Sequence, residues 1–341
     1  MTRYFGTAIV ITIMGLVACA ALGMAQQGDM SGALRFALIG GVLIVLEISL
    51  SFDNAVVNAK KLSAMTPQWQ RRFLTWGILI AVFGMRIVFP IAVVMIAAGI
   101  GPFEASRLAI VEPARYAQIM HDSHISISAF GGTYLMMVAL SFFIDSDKST
   151  DWIKWPEICL RSCSNFRGAE IAVVLIVALT FAHFQAAGHE LEFLYAALAG
   201  LIAYLLVEAL SHFLDRVESR ASVAARSGLG AFLYLEVLDA SFSFDGVIGA
   251  FALTNNIAVI AIGLGVGAFY VRSCTIMLVE RKTLSQLCYL EHGAFYSVLV
   301  LATIMLLQSV MSVPEYVTGL LGVGFIAVAT LSSLFALRET G

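Results

Sequence analysis

VLEISLSFDNAVVN, residues 45–58, places Glu47, Ser49, Ser51 and Asp53 at every second position of an otherwise apolar stretch. FALIGGVLIV leads up to Leu46 and AVV follows Asn54, so the surroundings read as a membrane span. An acid in such a place is costly unless it has a partner or a task, and intramembrane acids are read first as functional. What Glu47 and Asp53 do therefore decides both fold and function.

The rest of the chain agrees with a membrane setting. Of its 341 residues 60% are hydrophobic and 13% charged, against about 25% charged in soluble domains. Mean hydropathy is +0.90. The net charge of −3 gives no basis for a nucleic-acid partner. Five cysteines form no disulfide framework, and Cys159 and Cys163 lack histidines at zinc-ligand spacing. No phosphate-binding loop, dinucleotide fingerprint, HExxH or GxSxG occurs, so neither an ATP-driven pump nor an enzyme is expected, and no cofactor is implied.

Spans need about 20 mostly apolar residues. Ten are expected, at about 5–26, 33–53, 73–100, 126–145, 169–186, 191–213, 229–252, 257–280, 291–312 and 315–337. MTR, an apolar run and GMA before Gln26 also fit a signal peptide, though the length favours a span. Lysines and arginines concentrate in alternate connections: Lys60, Lys61, Arg71 and Arg72; Lys148, Lys154, Arg161 and Arg167; Arg216, Arg220 and Arg226; Arg281 and Lys282. This alternation places both termini in the cytoplasm. The segment 101–125 is too polar to span and is expected on the outer side; Trp152, Trp155 and Pro156 mark an interfacial stretch on the inner side.

The opening motif occurs twice. DASFSFDGVI, residues 239–248, aligns with EISLSFDNAV, residues 47–56, matching Glu47 with Asp239, Ser49 with Ser241, Ser51 with Ser243, Asp53 with Asp245 and Asn54 with Gly246. The following spans carry Arg86 and Arg272, and the next ones begin with FGGTY (130–134) and HGAFY (292–296). Five spans separate the motifs, so the repeats run in opposite orientations. The expected fold is an all-α polytopic membrane protein of about ten transmembrane helices containing two inverted three-helix repeats. Residues 1–32 form an N-terminal span. A transport domain covers 33–312, with repeats at about 33–145 and 229–312, and 313–341 is a C-terminal span and tail. Inverted repeats place a substrate site near the midplane, often on broken helices.

On a regular helix Glu47, Ser51 and Asn54 share one face, and Asp53 points away from it. Unwinding around Ser51–Asp53 would turn the aspartate inward and align Ser49, Ser51 and Asp53. Both motif helices are therefore expected to be interrupted at SFD. Glu47, Asp53, Asp239 and Asp245, with Ser49, Ser51, Ser241, Ser243 and Asn54, offer oxygen ligands alone. Such a set suits Mg²⁺, Ca²⁺ or Mn²⁺ and can exchange a cation for protons. Structural hydrogen bonding between helices is the competing reading.

Glu236 is an extra ligand or a packing partner. Arg86 is a counter-charge for the empty site or a fixed partner of Glu47 or Glu208. Arg272 can snorkel. Glu208 and His183 read as interfacial or packing groups, and His121, Asp122 and His124 as a solvated loop cluster that could also gather cations.

The paired acid-x-Ser-x-Ser-Phe-Asp-Asn/Gly motif resembles the TerC family of integral membrane proteins over roughly residues 33–312. HDSH followed by FGGTYLMMVALSFFID is similar to the branch of that family whose function is unassigned. The resemblance implies a multi-pass protein of the bacterial inner membrane, with relatives linked to tellurium resistance and manganese export. It carries the acidic residues onto Glu47, Asp53, Asp239 and Asp245, with Asn54 matching and Gly246 departing. The functional expectation is a secondary transporter exporting a divalent cation, manganese first, with Asp53 and Asp245 as direct ligands and Glu47 and Asp239 as ligands or proton carriers. Membrane lipid, the cation and protons are its expected partners, and a homo-oligomer is compatible with it. The alternative, which chloroplast relatives suggest, is a membrane-protein assembly or stress-response factor.

Overall fold

The computed structural model describes residues 2–340 except 78, 146, 147, 149, 164, 165, 167, 220–228 and 312. The described chain is all helical. In order the helices are α1 (Thr2–Gln27), α2 (Met30–Leu50), α3 (Phe52–Ser63), α4 (Pro67–Arg72), α5 (Phe89–Ala98), α6 (Pro102–Val111), α7 (Pro113–Asp122), α8 (His124–Ile144), α9 (Lys154–Ser162), α10 (Ala169–His183), α11 (Glu190–Ser219), α12 (Leu229–Leu253), α13 (Ile257–Glu280), α14 (Thr283–Gln286), α15 (Leu290–Gln308) and α16 (Glu315–Thr340). Two π-helical stretches, Phe73–Gly77 and Ile80–Val88, lie between α4 and α5.

Every expected span coincides with helix. Eight helical runs among the described residues are long and apolar enough to cross a membrane, against the ten expected. The two others are α10, only 15 residues long, and α12, which is 25 residues long but carries Glu236, Asp239 and Asp245. These helices are compatible with a multi-pass membrane protein. The polar segment after α5 folds into two short helices, α6 and α7, each with proline in its first turn. There the missing N–H has no helical partner to lose. Gly99 ends α5 in the left-handed region at φ 65°, and Asp29 caps α2 by accepting from Gly32 N at 2.7 Å.

The chain divides into two compact units, and two of the five cuts along the chain, after Phe52 and after Ser241, fall inside the motifs. Unit 1 comprises residues 1–52, 71–124 and 242–277; unit 2 comprises 53–70, 125–241 and 278–341.

In unit 1, α1 packs along α2, and α13 meets both through small residues. A methyl group on Gly263 would come 2.6 Å from Leu43 Cβ, and one on Gly15 would come 2.8 Å from Val266 Cγ2. Helices approach this closely only where side chains are missing, the small-xxx-small packing of membrane bundles.

In unit 2, α8 is almost wholly buried. Thr133 donates to Ala197 O of α11 at 2.9 Å, Tyr134 meets Tyr204 edge-on at 5.7 Å, and Phe142 stacks on Phe295 of α15 at 3.9 Å. The FGGTY and HGAFY clusters of the sequence thus serve as helix-packing faces. The inward approach at Gly132 leaves a Cβ only 2.8 Å from Leu306 Cγ.

Candidate functional site

The first motif breaks its helix. α2 ends at Leu50, Ser51 has φ −107° and ψ 13°, and α3 starts at Phe52. The break is a single residue, because Ser51 N–H still donates to Glu47 O at 3.0 Å. The expected extended alignment of Ser49, Ser51 and Asp53 does not form. Ser49 stays helical and its Oγ donates to Val45 O at 2.9 Å, whereas Ser51 Oγ donates back to Glu47 Oε1 at 3.1 Å.

The second motif does not break at all. α12 runs without interruption from Leu229 to Leu253, which corrects the expectation of two interrupted helices. Ser241 Oγ donates to Val237 O at 3.0 Å, reinforcing the helix from within. Ser243 is buried with its Oγ unpartnered. The two motif helices differ in form, so the inverted repeat rests on the sequence pattern alone.

Within unit 1, Glu47 and Arg86 form a buried ion pair, each side chain about 3% exposed. Glu47 is thus an ion-pair partner of Arg86, as one of the sequence readings expected. The arginine stands on the π-helical stretch, a geometry that recurs at functional positions. Two glycines wall the carboxylate. A methyl group on Gly267 would come 2.5 Å from Glu47 Cβ and Cγ, and one on Gly246 would come 3.2 Å from Glu47 Oε2. The loss of an oxygen ligand at Gly246 thereby has a steric counterpart: the position gives Glu47 room. Arg272 is half-buried, with its Nε unpartnered.

Within unit 2 a second set of polar groups gathers on α3, α12 and α15. Asp53 is buried at 4% exposure. Its Oδ2 accepts from Ser297 Oγ at 2.7 Å and its Oδ1 from Asn54 N at 2.8 Å. Asn54 donates through Nδ2 to Asp239 Oδ1, while Asn54 Oδ1 is buried with no partner. Asn58, one turn further along α3, likewise buries an unpartnered Oδ1, and on α12 Glu236 buries an unpartnered Oε1. On α3 and α12 this set thus combines three acids with three buried acceptor oxygens that no donor among the described residues satisfies, although such groups are nearly always paired.

The side chain of Asp245 lies outside the described residues. Among the described residues no three His, Cys, Asp or Glu side chains converge on one point. His121, Asp122 and His124 do not form a tight cluster: His121 and Asp122 are strongly exposed and 4.0 Å apart, and the two imidazoles are 6.5 Å apart. Glu208 faces a cavity of unit 2.

Ser297 and Asn58 were not singled out from sequence. Asn58 had a signal, since NAVVN repeats an amide at i and i+4 on a helix. Ser297 had only its place next to HGAFY. Glu157 gave none. It is fully buried, accepts from Lys148 Nζ at 2.5 Å and from the backbone N–H of Trp152 and Ile153, and lies 3.4 Å from His292 Nε2. That network fastens the stretch before α9 to the start of α15.

The fold and these buried acids define the chain as a polytopic-type helical protein with charged groups inside its helical packing. A family model described as "Protein of unknown function (DUF475)" matches residues 52–340, and the chain belongs to that family. The match includes Asp53, Asn54, Glu236, Asp239, Asp245 and Ser297, and begins after Glu47. No curated protein and no solved structure matches the chain.

Proposed function

We propose that the protein is a secondary transporter that exports a hard divalent cation, Mn²⁺ first, across the bacterial inner membrane, as a TerC-like member of its family with both termini in the cytoplasm. The observation that carries this reading is the oxygen set of unit 2. Asn54 bridges Asp53 and Asp239, and on the same two helices Asn54 Oδ1, Asn58 Oδ1 and Glu236 Oε1 are buried with no partner among the described residues. Carboxylate and amide oxygens without sulfur or imidazole are the ligand chemistry of Mg²⁺, Ca²⁺ and Mn²⁺.

Two of the acids are held by neutral partners that a cation would displace, Asp53 by Ser297 and Asp239 by Asn54, whereas Glu47 is held by Arg86. A cation binding at Asp53 and Asp239 replaces neutral donors, so its charge is balanced by the carboxylates or by protons they release. Glu47 keeps its charge neutral through Arg86 and serves as a fixed element beside the break at Ser51.

The test is flux in proteoliposomes of the purified full chain, with Mn²⁺, Mg²⁺, Ca²⁺ and Zn²⁺ at two pH values. Mn²⁺ flux that falls at least about tenfold in Asp53→Asn and Asp239→Asn, with unchanged melting temperatures, is the expected result; about tenfold corresponds to losing one good charged contact. Absence of divalent flux in the wild-type chain, or full flux in both variants, overturns the reading.

A further inference from the structure

Unit 2 contains a cavity of about 680 Å³ whose walls carry charges of both signs. Lys60 and Lys61 reach it from α3, Asp145 from just after α8, Glu170 from the first turn of α10, and Glu208 from α11. Lys61 Nζ sits 4.7 Å from the centre of the Tyr234 ring. Lys60 Nζ lies 4.7 Å from the Phe142 ring and is ion-paired with Glu291.

Among the described residues, Glu170 and Glu208 take no hydrogen bond or ion pair, and Lys61 takes no ion pair. Opposite charges that face a shared space and leave each other unpaired describe a ligand with both charges. A vestibule for bare cations would not hold two ammonium groups, and a site for simple anions would not hold two free carboxylates. The volume is that of a small-molecule site, which runs from about 300 to 1,000 Å³, and exceeds what one ion fills.

We propose that this cavity binds an ammonium-and-phosphate zwitterion, a phosphoethanolamine group. The paired lysines take the phosphate as compact cations, and Glu208 and Glu170 take the primary ammonium. Phe142, Phe166 and Phe295 give the cavity an apolar side against which a glycerol backbone can rest. The group can arrive as a phospholipid headgroup or as the free solute, and both present the same chemistry. The proposal is independent of the cation reading, since no flux enters its test.

The test uses the purified full chain in detergent, titrated with dioleoyl phosphatidylethanolamine, dioleoyl phosphatidylglycerol and free phosphoethanolamine, with binding followed by native mass spectrometry and melting temperature. Phosphatidylethanolamine is expected to bind about tenfold or more tightly than phosphatidylglycerol, a difference of about one charged contact. Glu208→Gln removes that preference and Lys61→Gln weakens both lipids, while the melting temperatures of the ligand-free variants stay at the wild-type value. If free phosphoethanolamine displaces the lipid, the solute is the source; if it does not, the headgroup is. Equal binding of the two lipids by the wild-type chain, or wild-type lipid binding by both variants, overturns the proposal. If Glu208→Gln unfolds it is replaced by Glu170→Gln at the same ammonium end, and if Lys61→Gln unfolds it is replaced by Lys60→Gln at the same phosphate end, each read against the same two outcomes.

Discussion

Arg86, on a π-helical stretch, is ion-paired with Glu47 in the last turn of α2, and both side chains are all but sealed from solvent. Each charge stabilises the other, since breaking a buried pair costs far more than the pair itself contributes. Arg86→Met should therefore destabilise the protein by roughly 3–5 kcal/mol, the cost of stranding one buried charge. Glu47→Gln combined with Arg86→Met should recover much of that loss. Melting curves of the two single variants and the double variant give the coupling directly. Additive losses would show that the two groups do not act as a pair.

Glu47 also depends on the absence of a side chain opposite it. Gly267→Ala brings a methyl group to 2.5 Å from Glu47 Cβ and Cγ, and overpacking of this kind costs about 1–3 kcal/mol. Gly101→Ala is the control, because nothing lies within 4 Å of its added methyl group and its φ of −75° suits any residue. A lower melting temperature for the first variant alone is expected. Equal melting of both variants would mean that α13 is free to step away from α2.

Ser297 is the donor that orients Asp53 from α15, at 2.7 Å. Ser297→Ala leaves one carboxylate oxygen buried with no side-chain donor, at a cost of about 1–3 kcal/mol. Its effect on Mn²⁺ flux should exceed its effect on folding, because Asp53 is then free to turn. Ser297→Thr, which keeps the hydroxyl, should restore flux. Flux in the alanine variant equal to wild type would separate Ser297 from the transport site.

How much of this was readable beforehand differs from residue to residue. Apolar runs of full span length located every long helix, because length and hydropathy are local properties. The interruption at the first motif was also legible, since a regular helix turned Asp53 away from Glu47 and its neighbours. Its absence from the second motif was not. Ser51 leaves the helix with its Oγ on Glu47, which Arg86 in turn fixes from 39 residues away. The matching Ser243 has no such partner, and Ser241 braces the helix instead. A motif repeats a set of side chains, but the break depends on long-range contacts that are not repeated. Ser297 and Glu157 were hidden for the same reason: their partners are far away in sequence.

Lys60 carries a pH dependence whose sign follows from its surroundings. Burial and then the ammonium of Lys61, with Lys148 adding to it, pull its pKa down to about 8 against the opposing pull of Asp145. Glu291 is ion-paired with it from α15. An unfolded lysine titrates near 10.4, so between about 8 and 10.4 the unfolded chain binds the extra proton. The penalty on folding is complete below pH 8 and is relieved as pH rises through that window, so stability contributed by this group increases with pH there. At pH 8.5 Lys60 should be mostly the neutral amine and should acylate with amine-selective reagents well ahead of Lys154, as read by peptide mass spectrometry. Glu291→Gln removes an ion-paired anion and should move the midpoint lower still. Acylation of Lys60 that begins only near pH 10 would show that Glu291 outweighs burial and Lys61 together.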